Sequence, residues 1–167
     1  MNEVEIEKLV IKAKGNDSDA FTFLMEYFAK DMYRTAITIL LNNEDAADAI
    51  QDTILTCWEK MKTLREVRYF KTWMTRILIN KCYDIKKQQA NKISIDECAE
   101  PIVSDSDDSN ELNEILNELD EIYRLPMMLF YGEGYKIKEI AQLLNIPKST
   151  IQTRLARGRQ KLNTYFG

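Results

Sequence analysis

Apolar residues recur along most of the chain at three- and four-residue steps, the period of a helix that buries one face. Glu3 to Lys14 is predicted as a first helix that stops at Gly15-Asn16. Asp17 and Ser18 are N-cap candidates for a second, with Phe21, Leu24, Phe28, Met32, Ala36 and Ile39 or Leu40 inward. Asn42-Asn43 breaks it. A third helix from about Asn43 is predicted to bury Ala47, Ile50, Ile54, Cys57, Trp58 and Met61. A fourth, about Tyr69 to Gln89, is predicted to bury Met74, Ile77, Leu78, Cys82 and Ile85. The period disappears over residues 94–110, rich in Asp, Ser and Glu, and resumes at Leu112, Ile115, Leu116, Leu119 and Ile122. Short helices are expected at about Pro126–Tyr131, Ile137–Leu143 and Lys148–Tyr165. Alternating strand-like runs are scarce, and only 5 Gly and 3 Pro interrupt the 167 residues. The expectation is an all-α chain: an N-terminal four-helix domain over 1–93, an acidic flexible linker over 94–110 and a C-terminal helix-turn-helix domain over 111–167. At roughly 3.3 Å per residue the linker reaches about 55 Å when extended.

Charge changes this picture. The formal net charge is −4, which argues against nucleic acid only if the charges are evenly spread. Residues 1–93 hold 15 basic and 14 acidic side chains, 94–124 hold 1 and 11, and 125–167 hold 7 and 2. The acidity therefore sits in residues 94–124, between two ends carrying +1 and +5. There is no His, which removes His-based general bases and His-ligated metal sites. Cys57, Cys82 and Cys98 form no C-x-x-C pair and read as reduced, mostly buried hydrophobes. No cofactor or metal and no enzymatic activity are expected. The start of the chain lacks the apolar core of a signal peptide, and no apolar run approaches the roughly 20 residues of a membrane span. A cytoplasmic location, with no membrane insertion of its own, is expected.

Three stretches carry candidate function. From Tyr135 to Leu162 a helix with Ile137, Ile140, Ala141 and Leu144 stops at Asn145-Ile146-Pro147, and another begins at the capping-competent Lys148-Ser149-Thr150. On that second helix Ile151, Leu155, Gly158 and Leu162 share one face. Ser149, Thr153, Ala156, Arg157 and Gln160 lie opposite, with Gln152 and Arg154 on the shoulders. Such a polar face suits a major groove, and an ordinary solvated helix of a small bundle is the plain alternative. On the third helix Asp45, Asp48, Asp52 and Glu59 form a like-charged stripe that asks for a basic partner, or is simply a soluble surface. On the fourth, Arg76, Asn80, Tyr83 and Lys87 face away from the apolar stripe, with Tyr69, Phe70 and Trp73 at its start. Basic residues interleaved with aromatics suit a strand with unstacked bases, although Phe70 and Trp73 taken singly are core-like.

In order and spacing, D45-A-A-D-A-I-Q-D-T-I-L-T-C-W58, F70-K-T-W-M-T-R-I-L-I-N80 with Asp84 and Lys86-Lys87, L125-P, G134-Y-K-I-K-E-I-A141 and S149-T-I-Q-T-R-L-A-R-G-R159 resemble a bacterial RNA polymerase sigma factor of the small, two-domain extracytoplasmic-function group. The resemblance implies a specificity subunit that binds core RNA polymerase and directs initiation at promoters with minus-ten and minus-thirty-five elements. It implies that Asp45, Asp48, Gln51, Asp52 and Trp58 dock on the clamp coiled coil of the largest subunit. It implies that Tyr69, Phe70, Trp73, Arg76, Asn80, Tyr83, Asp84 and Lys87 open and read the minus-ten element. Lys148, Ser149, Thr150, Gln152, Thr153, Arg154 and Arg157 are implied for the minus-thirty-five element. The resemblance also implies contact with the polymerase flap and a membrane-linked anti-sigma factor that releases the protein on a stress or other signal. The sequence departs from the pattern at Ile54, where Phe is usual, at Met74, where Leu is common, and at Ala156-Arg157-Gly158, where Gly158 lowers helix propensity by up to about 1 kcal/mol. A helix-turn-helix regulator with a ligand-sensing or dimerising bundle, and a helical adaptor without a DNA role, remain the rival readings.

Overall fold

The computed structural model describes residues 1–91 and 119–166, with the side chains of 165 and 166 left aside. All regular structure among the described residues is helical. The N-terminal half holds α1 (Glu3–Lys14), α2 (Ser18–Leu40), α3 (Asn43–Lys60) and α4 (Phe70–Asn91). Single 3₁₀ turns at Met61–Thr63 and Val67–Tyr69 join the last two. The C-terminal half holds α5 (Glu121–Met127), which runs into a π-turn at Met128–Gly132, then α6 (Ile137–Leu144) and α7 (Lys148–Phe166). The expected linker, and the apolar positions Leu112, Ile115 and Leu116, lie outside the described residues.

Local chemistry sets the helix boundaries. Asn2 and Glu5 form a reciprocal capping box at the start of α1, and Gly15 closes its end. Asp17 accepts from the Ala20 amide at 3.1 Å and Asn42 from the Asp45 amide at 2.9 Å, so both cap the helix that follows. Asn145 ends α6 in the left-handed conformation, φ 55°. At the start of α7 the Pro147 carbonyl accepts from Thr150 and Ile151 at 3.0 and 3.2 Å; the Lys148 and Ser149 side chains stay outward, and Thr150 is half-buried.

Packing buries Cys57 and Met61 of the predicted α3 stripe and shifts the rest of it. Ala46, Ala49, Thr53 and Cys57 are buried, Ile50 and Ile54 are half-buried, and Ala47 and Trp58 are exposed. Small side chains let α3 lie close against α2 and α4, and the bulky β-branched residues occupy the shoulder. On α4, Phe70, Met74, Leu78 and Cys82 are buried as expected, joined by Thr75 and Ile79, whereas Ile77 and Ile85 are half-buried. The C-terminal core is built on Leu125, Leu129, Ile140, Leu143, Ile151 and Leu155, while Ile122 is left exposed. Each such aliphatic burial contributes roughly 1.5–3 kcal/mol. Gly158 permits the close approach of α5 and α7: a Cβ there would stand 2.9 Å from Met127 Sδ, which accounts for a residue that helix propensity disfavours.

The two halves pack together along the last turns of α2 and one flank of α4. Thr35 through Leu40 are buried on every side of the helix. Tyr135 Oη and Thr75 Oγ1 are 2.7 Å apart, and Arg76 donates to the Gln142 carbonyl at 3.3 Å. Lys86 pairs with Glu121 at the seam's edge.

Candidate functional site

The acidic residues of α3 come together. Asp45, Asp48, Gln51 and Asp52 line a groove of about 380 Å³ whose other wall is Ile85, Gln88 and Gln89 of α4. Gln89 Nε2 donates to Asp45 Oδ2 at 2.6 Å, leaving Asp48 and Asp52 exposed. Trp58 stands outside the groove, 37% exposed, its ring 5.0 Å from that of Phe21. Between them Leu55 is 62% exposed. It follows Asp48 by seven residues and Asp52 by three, so it shares their face. Leu55 carries no signal of its own in the sequence beyond this register with the aspartates.

The residues around the start of α4 divide by burial. Tyr69 is exposed, with the Arg68 guanidinium 4.8 Å from its ring centre. Phe70 is 1% exposed and packs on Phe28 and Trp73 at centroid distances of 5.9 and 6.0 Å, so it is a core residue that fixes the loop rather than a free surface. Trp73 is half-buried. Arg76, Asn80, Tyr83, Asp84 and Lys87 are exposed along the helix. Asn80 and Tyr83 face a groove of about 270 Å³ whose opposite wall comes from α5, the end of α6 and Arg154 of α7. Burial, followed by nearby Glu121, raises the Tyr83 phenol above its ordinary value; Arg154 acts in the opposite sense.

On α7 the outward face is Lys148, Ser149, Gln152, Thr153 and Arg157, all exposed; Thr150 and Arg154 are half-buried. The Thr153 hydroxyl donates to the Ser149 main-chain carbonyl at 3.1 Å, which ties the Thr153 side chain to its own helix. Arg154 is separated from this set, because it turns toward Tyr83 across the groove. Ile151, Leu155 and Gly158 are buried beneath, and Leu162 is half-buried, as the helical period predicts. Arg159, also on α7, donates to Tyr131 Oη at 3.0 Å.

Two charged groups at the seam escaped the sequence analysis. Glu133 occupies the turn before α6 with a side chain only 1% exposed, and Arg124 of α5 is 7% exposed. Their partners lie on α2 and α4, and no spacing within the chain announces a pairing that distant.

Comparison with known proteins is consistent with this architecture. The sigma-70 region 2 family matches residues 24–92, and the sigma-70 region 4 family matches residues 109–162. RNA polymerase sigma factor SigV of Bacillus subtilis is 30% identical over 77% of this chain and 80% of its own length. The extracytoplasmic-function sigma factor SigW of the same organism is 27% identical over 96% of each. Among solved structures, CnrH in complex with the cytosolic domain of CnrY superposes with a TM-score of 0.72 at 22% identity, covering 96% of each chain. RpoE of Bartonella quintana, in complex with the anti-sigma factor NepR, gives 0.70 at 22% identity over 86% of this chain and 94% of its own. With region 2 on α2 to α4, region 4 on the C-terminal helices and relatives that are themselves sigma factors, the chain belongs to the sigma-70 family, as an extracytoplasmic-function sigma factor: a non-catalytic specificity subunit that directs RNA polymerase to promoters.

Proposed function

We propose that this sigma factor engages core polymerase through the α3 groove and reads its promoter through two separate surfaces. The observation that carries the reading is the face of α3 on which Leu55 protrudes just beyond the exposed Asp48 and Asp52 and before the exposed Glu59. An apolar knob in line with carboxylates suits a basic helical partner, because burial of Leu55 supplies affinity and the carboxylates fix register. Asp45, Gln51 and Trp58 extend that surface at either end. The partner would be the clamp coiled coil of the largest subunit, with the flap holding the C-terminal half.

The exposed row Arg76, Asn80, Tyr83 and Lys87, with Tyr69 and the half-buried Trp73 at its head, is assigned to the minus-ten element. Its cations hold phosphates, and its rings and amide receive unstacked bases. Phe70 acts from beneath by bracing Trp73. Asp84 adds a hydrogen-bond acceptor to the row. Lys148, Ser149, Thr150, Gln152, Thr153 and Arg157 are assigned to the minus-thirty-five element, where the first turns of α7 enter the major groove. Arg154 joins them once it leaves Tyr83. The functional domains would span 1–93 and 111–167, joined by 94–110; two modest DNA contacts on one tether bind together by raising each other's effective concentration.

We further infer that the protein works in the cytoplasm under an anti-sigma factor and is released by a stress or other signal. Among the described residues no helix is long and apolar enough to cross a membrane. The capture of both solved neighbours with protein partners is the support for such control. Run-off transcription by core polymerase on a genomic fragment library tests the assignment: discrete transcripts are expected only when the protein is added. Unaided binding to a palindromic operator with no effect on core polymerase would favour the rival regulator.

A further inference from the structure

The seam between the halves carries a polar cluster built on one buried carboxyl, Glu133, and the part-exposed Arg34 and Asp31. Glu133 Oε1 accepts from Arg34 Nε of α2 at 2.7 Å, and Arg34 Nη2 also donates to Asp31 Oδ1 at 2.5 Å, so one guanidinium serves two carboxyls. Glu133 Oε2 is buried with no hydrogen-bond partner, and the nearest cation, Lys71 Nζ at the head of α4, is 3.8 Å away. When the carboxyl is ionised, Oε2 therefore has no donor at hydrogen-bond distance to replace its water. Two residues on, Tyr135 bonds Thr75, and the Lys71 ammonium sits 5.1 Å from the Tyr135 ring centre.

We propose that the Asp31–Glu133 carboxyl pair is a proton-operated latch, protonation of Glu133 holding the two halves together over the flank of α4 and its ionisation letting them part. The part of this that concerns promoter access rests on the reading of α4 given above; the latch itself does not.

The direction follows from the environment. Burial first, then the neighbouring Asp31 carboxyl, push Glu133 up to about 7, against the opposing pull of Arg34. Once the halves part, the carboxyl regains water and its ordinary value of 4.5. The closed arrangement therefore binds the proton more tightly. Its extra stability is complete below 4.5 and is lost as pH rises through about 7. The remaining charges around Glu133 come from every neighbouring element. Glu3 and Glu7 of α1 and Glu139 of α6, of the same sign as Asp31, line the same cavity, as do Arg68 and Lys71, of the same sign as Arg34. Between about pH 6 and pH 8.5, a displacement of this size changes the closing equilibrium roughly tenfold.

Parting frees the surface that closure engages. Arg76 loses the Gln142 carbonyl, Asn80 and Tyr83 lose the opposite wall of their groove, and Arg154 becomes available to α7's outward face.

Carbon-detected titration of the full chain reads the latch directly: the Glu133 carboxyl is expected to titrate near 7, and a midpoint near 4.5 overturns the proposal. Small-angle scattering at about pH 6 and pH 8.5 then reads the ratio of closed to open molecules. The background for this is Tyr135→Phe, whose loss of the Thr75 bond brings the equilibrium into range. A roughly tenfold fall in that ratio is expected, abolished by Glu133→Gln. No change in the Tyr135→Phe chain, or the same change with Glu133→Gln added, overturns the proposal. Neither measurement contains promoter or polymerase, so their outcome is independent of the transcriptional assignment.

Discussion

The Arg124 guanidinium donates from Nη1 to the main-chain carbonyl of Thr38, 3.2 Å away on α2, and from Nη2 to the Leu119 carbonyl at 3.1 Å. A buried cation on one half thus caps backbone oxygens on both sides of the seam. Burial lowers its pKa below the ordinary arginine value, with Glu121 and Asp120 opposing. Arg124→Met keeps the stem and removes the donors. Urea unfolding of the full chain is expected to show a loss of about 1–3 kcal/mol.

Gly134 lies between the two seam residues Glu133 and Tyr135 at φ +75°, with open space where a Cβ would go. Its contribution is conformational, so Gly134→Ala should cost roughly 1–2 kcal/mol through backbone strain alone. Thermal unfolding measures this, and Gly134→Asn should recover part of it because Asn tolerates the left-handed region.

Cys57 and Cys82 are buried, and burial pushes both thiols up to about 12. Thiolate is the reactive form. Peptide mapping after brief alkylation of the folded protein at about pH 8 should find both cysteines unmodified, and modification should appear in parallel with unfolding in urea.

The exposed face of α7 separates recognition from stability. Thr153→Ala with Arg157→Ala removes side chains that touch solvent. The pair should abolish transcription from the cognate promoter while unfolding free energy stays within about 0.5 kcal/mol of wild type.

Charge reversal on α3 tests the other surface. Asp48→Lys with Asp52→Lys should weaken co-elution with core polymerase at least tenfold and leave the helix folded, because both side chains are exposed. Leu55→Ser should weaken it as well without altering charge. An unchanged interaction in both variants would remove α3 from the polymerase interface.

The helices and their ends were legible because their causes are local. Asp17, Asn42 and Asn145 act within a few residues of themselves, and the period that placed Ile151 and Leu155 inward is a property of one helix. Part of the α3 stripe was misplaced because hydrophobic bulk favours Ile50, Ile54 and Trp58, whereas the close approach of three helices selects Ala46, Ala49 and Thr53. Among candidate site residues, the exposure of Asp48, Arg157 and Thr153 followed from period alone. The split of Arg154 from its neighbours did not, because it depends on Tyr83, seventy-one positions earlier. Glu133 and Arg124 were invisible for the same reason. Each looks like an ordinary surface charge until the partner half is in place.

Residues 35 to 40, buried on all sides of α2, have a consequence for dissecting the molecule. An N-terminal fragment ending near residue 91 keeps its own four helices but presents Ile37, Thr38 and the rest of that turn to water wherever the C-terminal half had covered them. Such a fragment is expected to be less soluble than the whole chain and to self-associate as its concentration rises, so measurements made on separate pieces will describe sticky halves rather than the parts of this protein.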